Sequence, residues 1–144
     1  MMGEHWMNKG IGLTHIALTS QDIDASIQFY ADYANMSVVH QRGLKPDETR
    51  VVWLSDKTRP FVIVLMESNQ PAPTLGPFAH IGVGCESREV LDQLCDRARK
   101  ANILVREPVD TGYPAGYWAF IKDPDGHNLE LSYGQEVGLT VASA

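Results

Sequence analysis

The chain has 144 residues, 12 Lys and Arg against 18 Asp and Glu, a formal net charge of -6 and 44% hydrophobic residues. That length suits one compact domain or two small modules sharing a core, and the apolar content excludes a disordered chain. Basic side chains are scattered rather than clustered and no run is long and apolar enough to span a bilayer, so nucleic acid and membrane are excluded as partners.

The elements read as one plan run twice. Residues 11–19 alternate as a strand, with His15, Ala17 and Thr19 on one face and Ile16 and Leu18 on the other. Ser20 stands where a helix N-cap would, Asp22 and Asp24 suit the first turn, and Ile23, Ile27, Tyr30 and Ala34 recur at helical spacing over 21–34. Strands follow near Ser37–Gln41 and Val51–Ser55, then Phe61–Met66, whose unbroken apolar run predicts burial on both faces. Residues 68–77, with Pro71, Pro73 and Pro77, can continue neither helix nor central strand and read as a linker. The plan then restarts with strand 79–85 and a helix capped by Ser87 and running to about Lys100, with Val90, Leu91, Leu94 and Ala98 facing inward. Strands near Ile103–Arg106, Tyr117–Ile121 and Leu129–Tyr133 complete it. Residues 1–10 lack the pattern of a secretory leader, and Cys85 and Cys95 lack zinc-motif spacing, so a cytoplasmic location with free thiols is expected.

Overlaying the halves sets Thr14-His15-Ile16 on Ala79-His80-Ile81, and Ile63-Val64-Leu65 on Leu129-Glu130-Leu131. Neither half is large enough to stand on one sheet face and one helix, so the two must pack together. His15, His80 and Glu130 then form a set of metal-capable side chains on strands. A carboxylate between two leucines needs a compensating partner, because burying it alone costs several kcal/mol. Two imidazoles and a divalent cation (Fe, Mn, Zn, Ni or Co) would meet that need and leave positions open for a substrate's adjacent oxygens. Taken singly, either histidine reads equally as a hydrogen-bonded groove residue, and Glu130 as an exposed strand residue. The Asp123-Pro124-Asp125-Gly126 turn sets the register of the last strand, so Glu130 shares a face with Asn128 and Ser132. His127 reads as a turn residue. Of His5 and His40, which lack a supporting pattern, only His40 comes near a cavity mouth.

Strand-borne His15, the helix with Ile27-Gln28-Phe29-Tyr30, His80, and Asp123-Pro124-Asp125-Gly126-His127-Asn128-Leu129-Glu130 together resemble the vicinal oxygen chelate superfamily. That superfamily includes glyoxalase I, fosfomycin-resistance transferases, bleomycin-resistance proteins, methylmalonyl-CoA epimerase and extradiol dioxygenases. The resemblance covers roughly residues 11–134. It implies an α+β, glyoxalase-like fold of two tandem βαβββ modules (11–67 and 78–134) forming a cupped mixed sheet, with 1–10 and 135–144 as terminal extensions. It further implies a homodimer with a divalent metal on His15, His80 and Glu130.

The pattern departs from each named activity. The fourth ligand position, a glutamate in glyoxalase I, falls on Val64, and Glu67 reaches it only through a bulge. The transferases carry a threonine where this chain has Ala17. Extradiol dioxygenases carry a tyrosine before the Asp-Pro turn where this chain has Phe120. Bleomycin-resistance proteins typically lack the ligand set that is kept here. Glu130 itself, Tyr117 and Tyr113 are the candidates for proton transfer and oxyanion stabilisation. Trp53 and Trp118 are candidates for an apolar slot, with only one of Tyr117 and Trp118 facing it. Arg42, Arg50 and Lys45 are candidates for a substrate carboxylate or phosphate, and Arg106-to-Gly116 for a specificity loop. The expected activity is that of a glyoxalase-type isomerase or lyase on a small oxygen-bearing substrate. The alternatives are a ring-cleaving dioxygenase and a non-catalytic drug- or toxin-binding resistance protein.

Overall fold

In the computed structural model, which describes residue 10, residues 12–70 and residues 72–144, the plan appears twice. Most of the expected N-terminal extension (with His5), Ile11 of the first strand and Pro71 of the linker lie outside the described residues. The first module is β1 (His15–Ser20), α1 (Ile23–Ala34), β2 (Ser37–Arg42), β3 (Val51–Ser55) and β4 (Val62–Glu67). The second is β5 (His80–Gly84), α2 (Arg88–Lys100), β6 (Leu104–Asp110), β7 (Tyr117–Lys122) and β8 (Asn128–Tyr133), followed by a short helix α3 (Val137–Ala142). Each module makes a four-stranded mixed sheet, ordered β1-β4-β3-β2 and β5-β8-β7-β6. First and last strands pair in parallel, which a crossover through the helix requires. β1 and β5 are therefore sheet edges. Among the described residues no helix is long and apolar enough to cross a membrane.

Local chemistry explains the helix ends. Asp22, rather than Ser20, caps α1: its carboxylate accepts from the Ala25 N–H at 3.1 Å. Ser20 is instead buried, hydroxyl to hydroxyl with Ser26 at 2.9 Å. Ser87 caps α2 as its position predicts, accepting from the Val90 N–H at 3.1 Å. Arg97, Arg99 and Lys100 sit in the last turn, where cations favour the helix dipole. One face of each sheet lies under its helix. Val52, Leu54, Ile63 and Leu65 in the first module, and Ala119, Ile121, Leu129 and Leu131 in the second, are at most 1% exposed and join one core with Leu91, Cys95 and Ala98 of α2. Each fully buried Leu or Ile contributes about 1.5–3 kcal/mol. Cys95 is buried more deeply than the neighbouring Val90 and Leu94 of the predicted inner face.

β4 corrects one expectation. Ile63 and Leu65 are buried, whereas Val62 and Val64 are half-buried and Met66 is 46% exposed. Its second face carries no helix; it opens with the rest of that sheet face.

The modules are joined by a buried polar junction at the Asp-Pro turn. Asp123 accepts the Tyr30 hydroxyl at 2.8 Å and the Asp125 and His127 backbone N–H groups at 2.9 Å each. Asp125 accepts the Gln21 N–H at 2.9 Å and the Ser26 hydroxyl at 3.2 Å. His127 is more than a turn residue, being 3% exposed. Its Nδ1 accepts the Leu75 N–H at 3.0 Å, which leaves the proton on Nε2, directed at the Thr19 carbonyl at 3.4 Å. That imidazole ties linker, β1 and turn together.

Cys85 and Cys95 are free thiols. Burial pushes the Cys95 thiol up to about 11. Since the thiolate is the nucleophile, native Cys95 is expected to resist a disulfide reagent at about pH 8 and to react once the chain is unfolded. Rapid colour development by native protein of a Cys85→Ser variant would overturn this.

Candidate metal centre

The uncovered faces of the two sheets correspond row by row. In the first sheet, Ala17 pairs with Val64, Val64 with Trp53, and Trp53 with His40. In the second, Gly82 pairs with Glu130, Glu130 with Phe120, and Phe120 with Arg106. Directly paired residues share a face, so Val64 is the structural counterpart of Glu130, two residues beyond the partner of the module's histidine. The β1–β4 register runs without interruption from His15–Val62 to Ser20–Glu67. Glu67 therefore stays on the opposite phase from Val64 and does not take its place.

On the second face the pattern of β8 does what its sequence implies. Leu129 and Leu131 go under α2, and Glu130 goes to the uncovered face, yet it is only 6% exposed because Phe120, His80 and Gln135 crowd around it. His80 Nε2 lies 3.5 Å from Glu130 Oε1. The other imidazole nitrogen, Nδ1, is 2.6 Å from the Phe78 carbonyl oxygen. A carbonyl can only accept, so Nδ1 carries a proton, and in the neutral imidazole the Nε2 lone pair faces the carboxylate. An imidazole held from behind by a backbone carbonyl, with its other nitrogen 3.5 Å from a carboxylate oxygen, makes with it a pair of donors that could hold a cation. Gln135 Nε2 donates to Glu130 Oε2 at 3.4 Å and to the Ala115 carbonyl at 3.3 Å. This connects the carboxylate to the Gly112–Gly116 loop. Gly116 has φ +75°, and a Cβ there would lie 2.6 Å from the Tyr133 carbonyl oxygen, so only glycine brings that loop so close to β8.

The sequence from residue 12 to 131 matches the family model described as Glyoxalase/Bleomycin resistance protein/Dioxygenase superfamily. The chain belongs to that superfamily. It is 38% identical over 129 residues to the uncharacterized protein PA2024 of Pseudomonas aeruginosa, covering 88% of this chain and 91% of that one. It is 29% identical over 124 residues to a probable lactoylglutathione lyase of Synechocystis sp., covering 83% and 92% of the two chains. Among solved structures, a mutant of the genomically encoded fosfomycin resistance protein FosX from Listeria monocytogenes, complexed with Mn(II) and 1S,2S-dihydroxypropylphosphonic acid, superposes with a TM-score of 0.70 at 19% identity. The match covers 91% of this chain and 98% of that one. At that identity the likeness concerns the fold.

Against the superfamily's pattern, the structure brings together two of the three expected ligands. His15 lies apart: it is exposed at the β1 edge, with Nδ1 2.8 Å from the Thr14 hydroxyl. Among the described residues no three His, Cys, Asp or Glu side chains stand close enough to share a metal ion. The reason is topological, since β1 and β5 edge different sheets. Tyr117 is displaced as well. It lies on the helix side of β7, its hydroxyl 2.5 Å from Asp92 Oδ1 and its ring 3.9 Å beneath the Arg88 guanidinium. Strand alternation puts Trp118 and Phe120 on the Glu130 face instead. Tyr113, 68% exposed, has its hydroxyl 3.3 Å from Thr140 Oγ1 on α3. Trp53 and Trp118 do not wall one slot: Trp53 packs on His40 in the first sheet, Trp118 on Phe120 in the second. Arg42 donates to His40 Nε2 at 3.2 Å on the uncovered face. Arg50 is turned away, paired with Asp24 of α1 at 2.9 Å.

Neither Phe78 nor Gln135 is singled out by the sequence, and Phe120 stands out there only as a departure from the dioxygenase pattern. Phe120 is recoverable from alternation with Trp118. Gln135 had no signal, because it follows the last strand in what read as a terminal extension.

Proposed function

We propose that the protein is a divalent-metal-dependent enzyme of glyoxalase type, a lyase or isomerase of a small substrate bearing two adjacent oxygens, acting as a homodimer. The observation that carries this reading is the His80–Glu130 pair, with the imidazole lone pair and a carboxylate oxygen 3.5 Å apart on a nearly buried face. With a neutral imidazole, lone pairs in that relation repel unless a cation stands between them. His80 Nε2 and Glu130 Oε1 would hold the ion, and His15 would come from the second copy of the chain. When bound, such an ion polarises a substrate oxygen and stabilises the anion formed beside it. Phe78 fixes the tautomer of His80. Gln135 holds Glu130 Oε2 in place, and that oxygen is the acceptor for the substrate proton. Phe120, buried against the imidazole, excludes water from that side of it.

Support for the homodimer comes from the edges. β1 and β5 have open sides, and an open edge is normally paired or covered. Exposed Leu13 at 88% and Phe78 at 75% flank the two histidines.

The test is metal content of untagged protein by inductively coupled plasma mass spectrometry, on wild type and on His15→Ala, His80→Ala and Glu130→Ala. About one ion per chain is expected in wild type and about a tenth of that or less in each variant. Co-expressed His15→Ala and Glu130→Ala chains should recover one site per dimer. Wild type that holds no metal and takes up none of Mn, Fe, Co, Ni or Zn would overturn the reading. Failure of the mixed dimer alone would overturn the shared site.

A further inference from the structure

Seven arginines occur among the described residues, and four of them are bound to carboxylates: Arg50 to Asp24, Arg88 to Asp110, Arg97 to Asp32, and Arg99 to Asp96 and Glu107. All four serve helix faces or outer surfaces. Among the described residues Arg42, Arg59 and Arg106 make no such ion pair. Of these three, only Arg106 stands in the same cross-strand row as Glu130, paired with Phe120, which is itself paired with Glu130. Its guanidinium carbon lies 4.8 Å over the Trp118 ring. Trp118 is 5.3 Å from Phe120, and Phe120 is 4.7 Å from His80, centroid to centroid. The indole is itself fixed, since its Nε1–H donates to Thr111 Oγ1 at 3.1 Å. A continuous aromatic shelf thus runs from a cation without a carboxylate partner to the imidazole–carboxylate pair.

We propose that Arg106 is the receptor for an oxyanion, a carboxylate or phosphoryl group, carried by the substrate at the end opposite its reacting oxygens. This inference rests on the reading of His80 and Glu130 as the reacting end. Two strand spacings separate the backbones of Arg106 and Glu130, about 10 Å, which sets the span of the substrate. Its middle packs against Trp118 and Phe120, whose rings are tilted 48° to each other, so that part is apolar. A guanidinium already stacked on an indole has lost much of its rotamer freedom and keeps its outward N–H donors for a bidentate acceptor. In a chain of net charge -6, such a cation is a local attractor for an anion.

The test uses the full-length protein after EDTA treatment, so that no probe anion coordinates a cation, and follows the Trp118 indole N–H resonance, identified with Trp118→Phe. Benzoate, phenylphosphonate and neutral benzamide are the probes. Saturable shifts with at least one anion at a dissociation constant about tenfold or more below that of benzamide are expected, and the tighter of the two anions identifies the group. Arg106→Gln should bind all three equally weakly, whereas Arg106→Lys should retain part of the preference. Equal binding of anion and amide by wild type, no saturable shift with any probe, or a preference surviving in Arg106→Gln would each overturn the proposal. Metal content of Arg106→Gln, measured separately, should equal that of wild type. This keeps failure of the anion receptor distinct from failure of the metal centre.

Discussion

Glu130→Gln is expected to lower kcat/KM by about 10²- to 10³-fold, about 3–4 kcal/mol of transition-state stabilisation, while leaving the metal-free protein as stable as wild type or more so. The amide keeps the shape of the side chain and its place between Leu129 and Leu131, but it removes the charge proposed to hold a cation and the oxygen proposed to take a proton. Stability moves the other way for a local reason. A neutral His80 presents its Nε2 lone pair to Glu130 Oε1 at 3.5 Å, and a glutamine N–H can donate to it where a carboxylate cannot. A rise in Tm of up to about 4 °C in EDTA is therefore expected, equivalent to about 1 kcal/mol. Opposite signs for activity and stability mark a residue kept for chemistry rather than for folding. Full activity in Glu130→Gln, together with undiminished metal content, would remove the carboxylate from the site.

Asp123→Ala is expected to cost about 3–5 kcal/mol in urea unfolding and to lower Tm by about 10 °C. The carboxylate is 4% exposed and accepts three hydrogen bonds, two from backbone N–H groups of its own turn and one from the Tyr30 hydroxyl of the other module. Alanine leaves all three donors buried without acceptors. Burial, with the Asp123 carboxylate as the second cause, pushes the Tyr30 phenol well above its usual range, so it remains a donor at any working pH. At Asp123 burial raises the carboxyl and is opposed by those same donated hydrogen bonds, the Tyr30 bond foremost. Asp123→Asn retains an acceptor oxygen for the turn and should cost about 1 kcal/mol. A cost below about 1 kcal/mol for Asp123→Ala would show that the junction does not hold the modules together.

Much of this was legible from local pattern. Alternation in Asn128-Leu129-Glu130-Leu131 assigned the carboxylate to the uncovered face, and β8 places it there. Alternation allows only one of Tyr117 and Trp118 to share the face of Glu130, but period alone does not say which. The pairing of Trp118 with Ser132 and of Phe120 with Glu130 decided it. Reading Phe61–Met66 as buried on both faces failed because an apolar run reports hydrophobicity and not what covers it. Arg50 looked as available as Arg42 until α1 supplied Asp24.

By itself the sequence determined the elements of the two modules, their order, their repetition and the phase of each strand, though not α3, because helical and strand periods and capping side chains act over only a few residues. It also determined the family, since His15, His80 and Glu130 keep the spacing of that plan. Tertiary structure alone decided which of these residues meet. His80 and Glu130 lie on adjacent strands of one sheet, and so one chain brings them within 3.5 Å. His15 belongs to the other sheet, and the Tyr30–Asp123 junction that binds the modules leaves its edge facing outward. Proximity across modules depends on how two faces pack, and no local period encodes that.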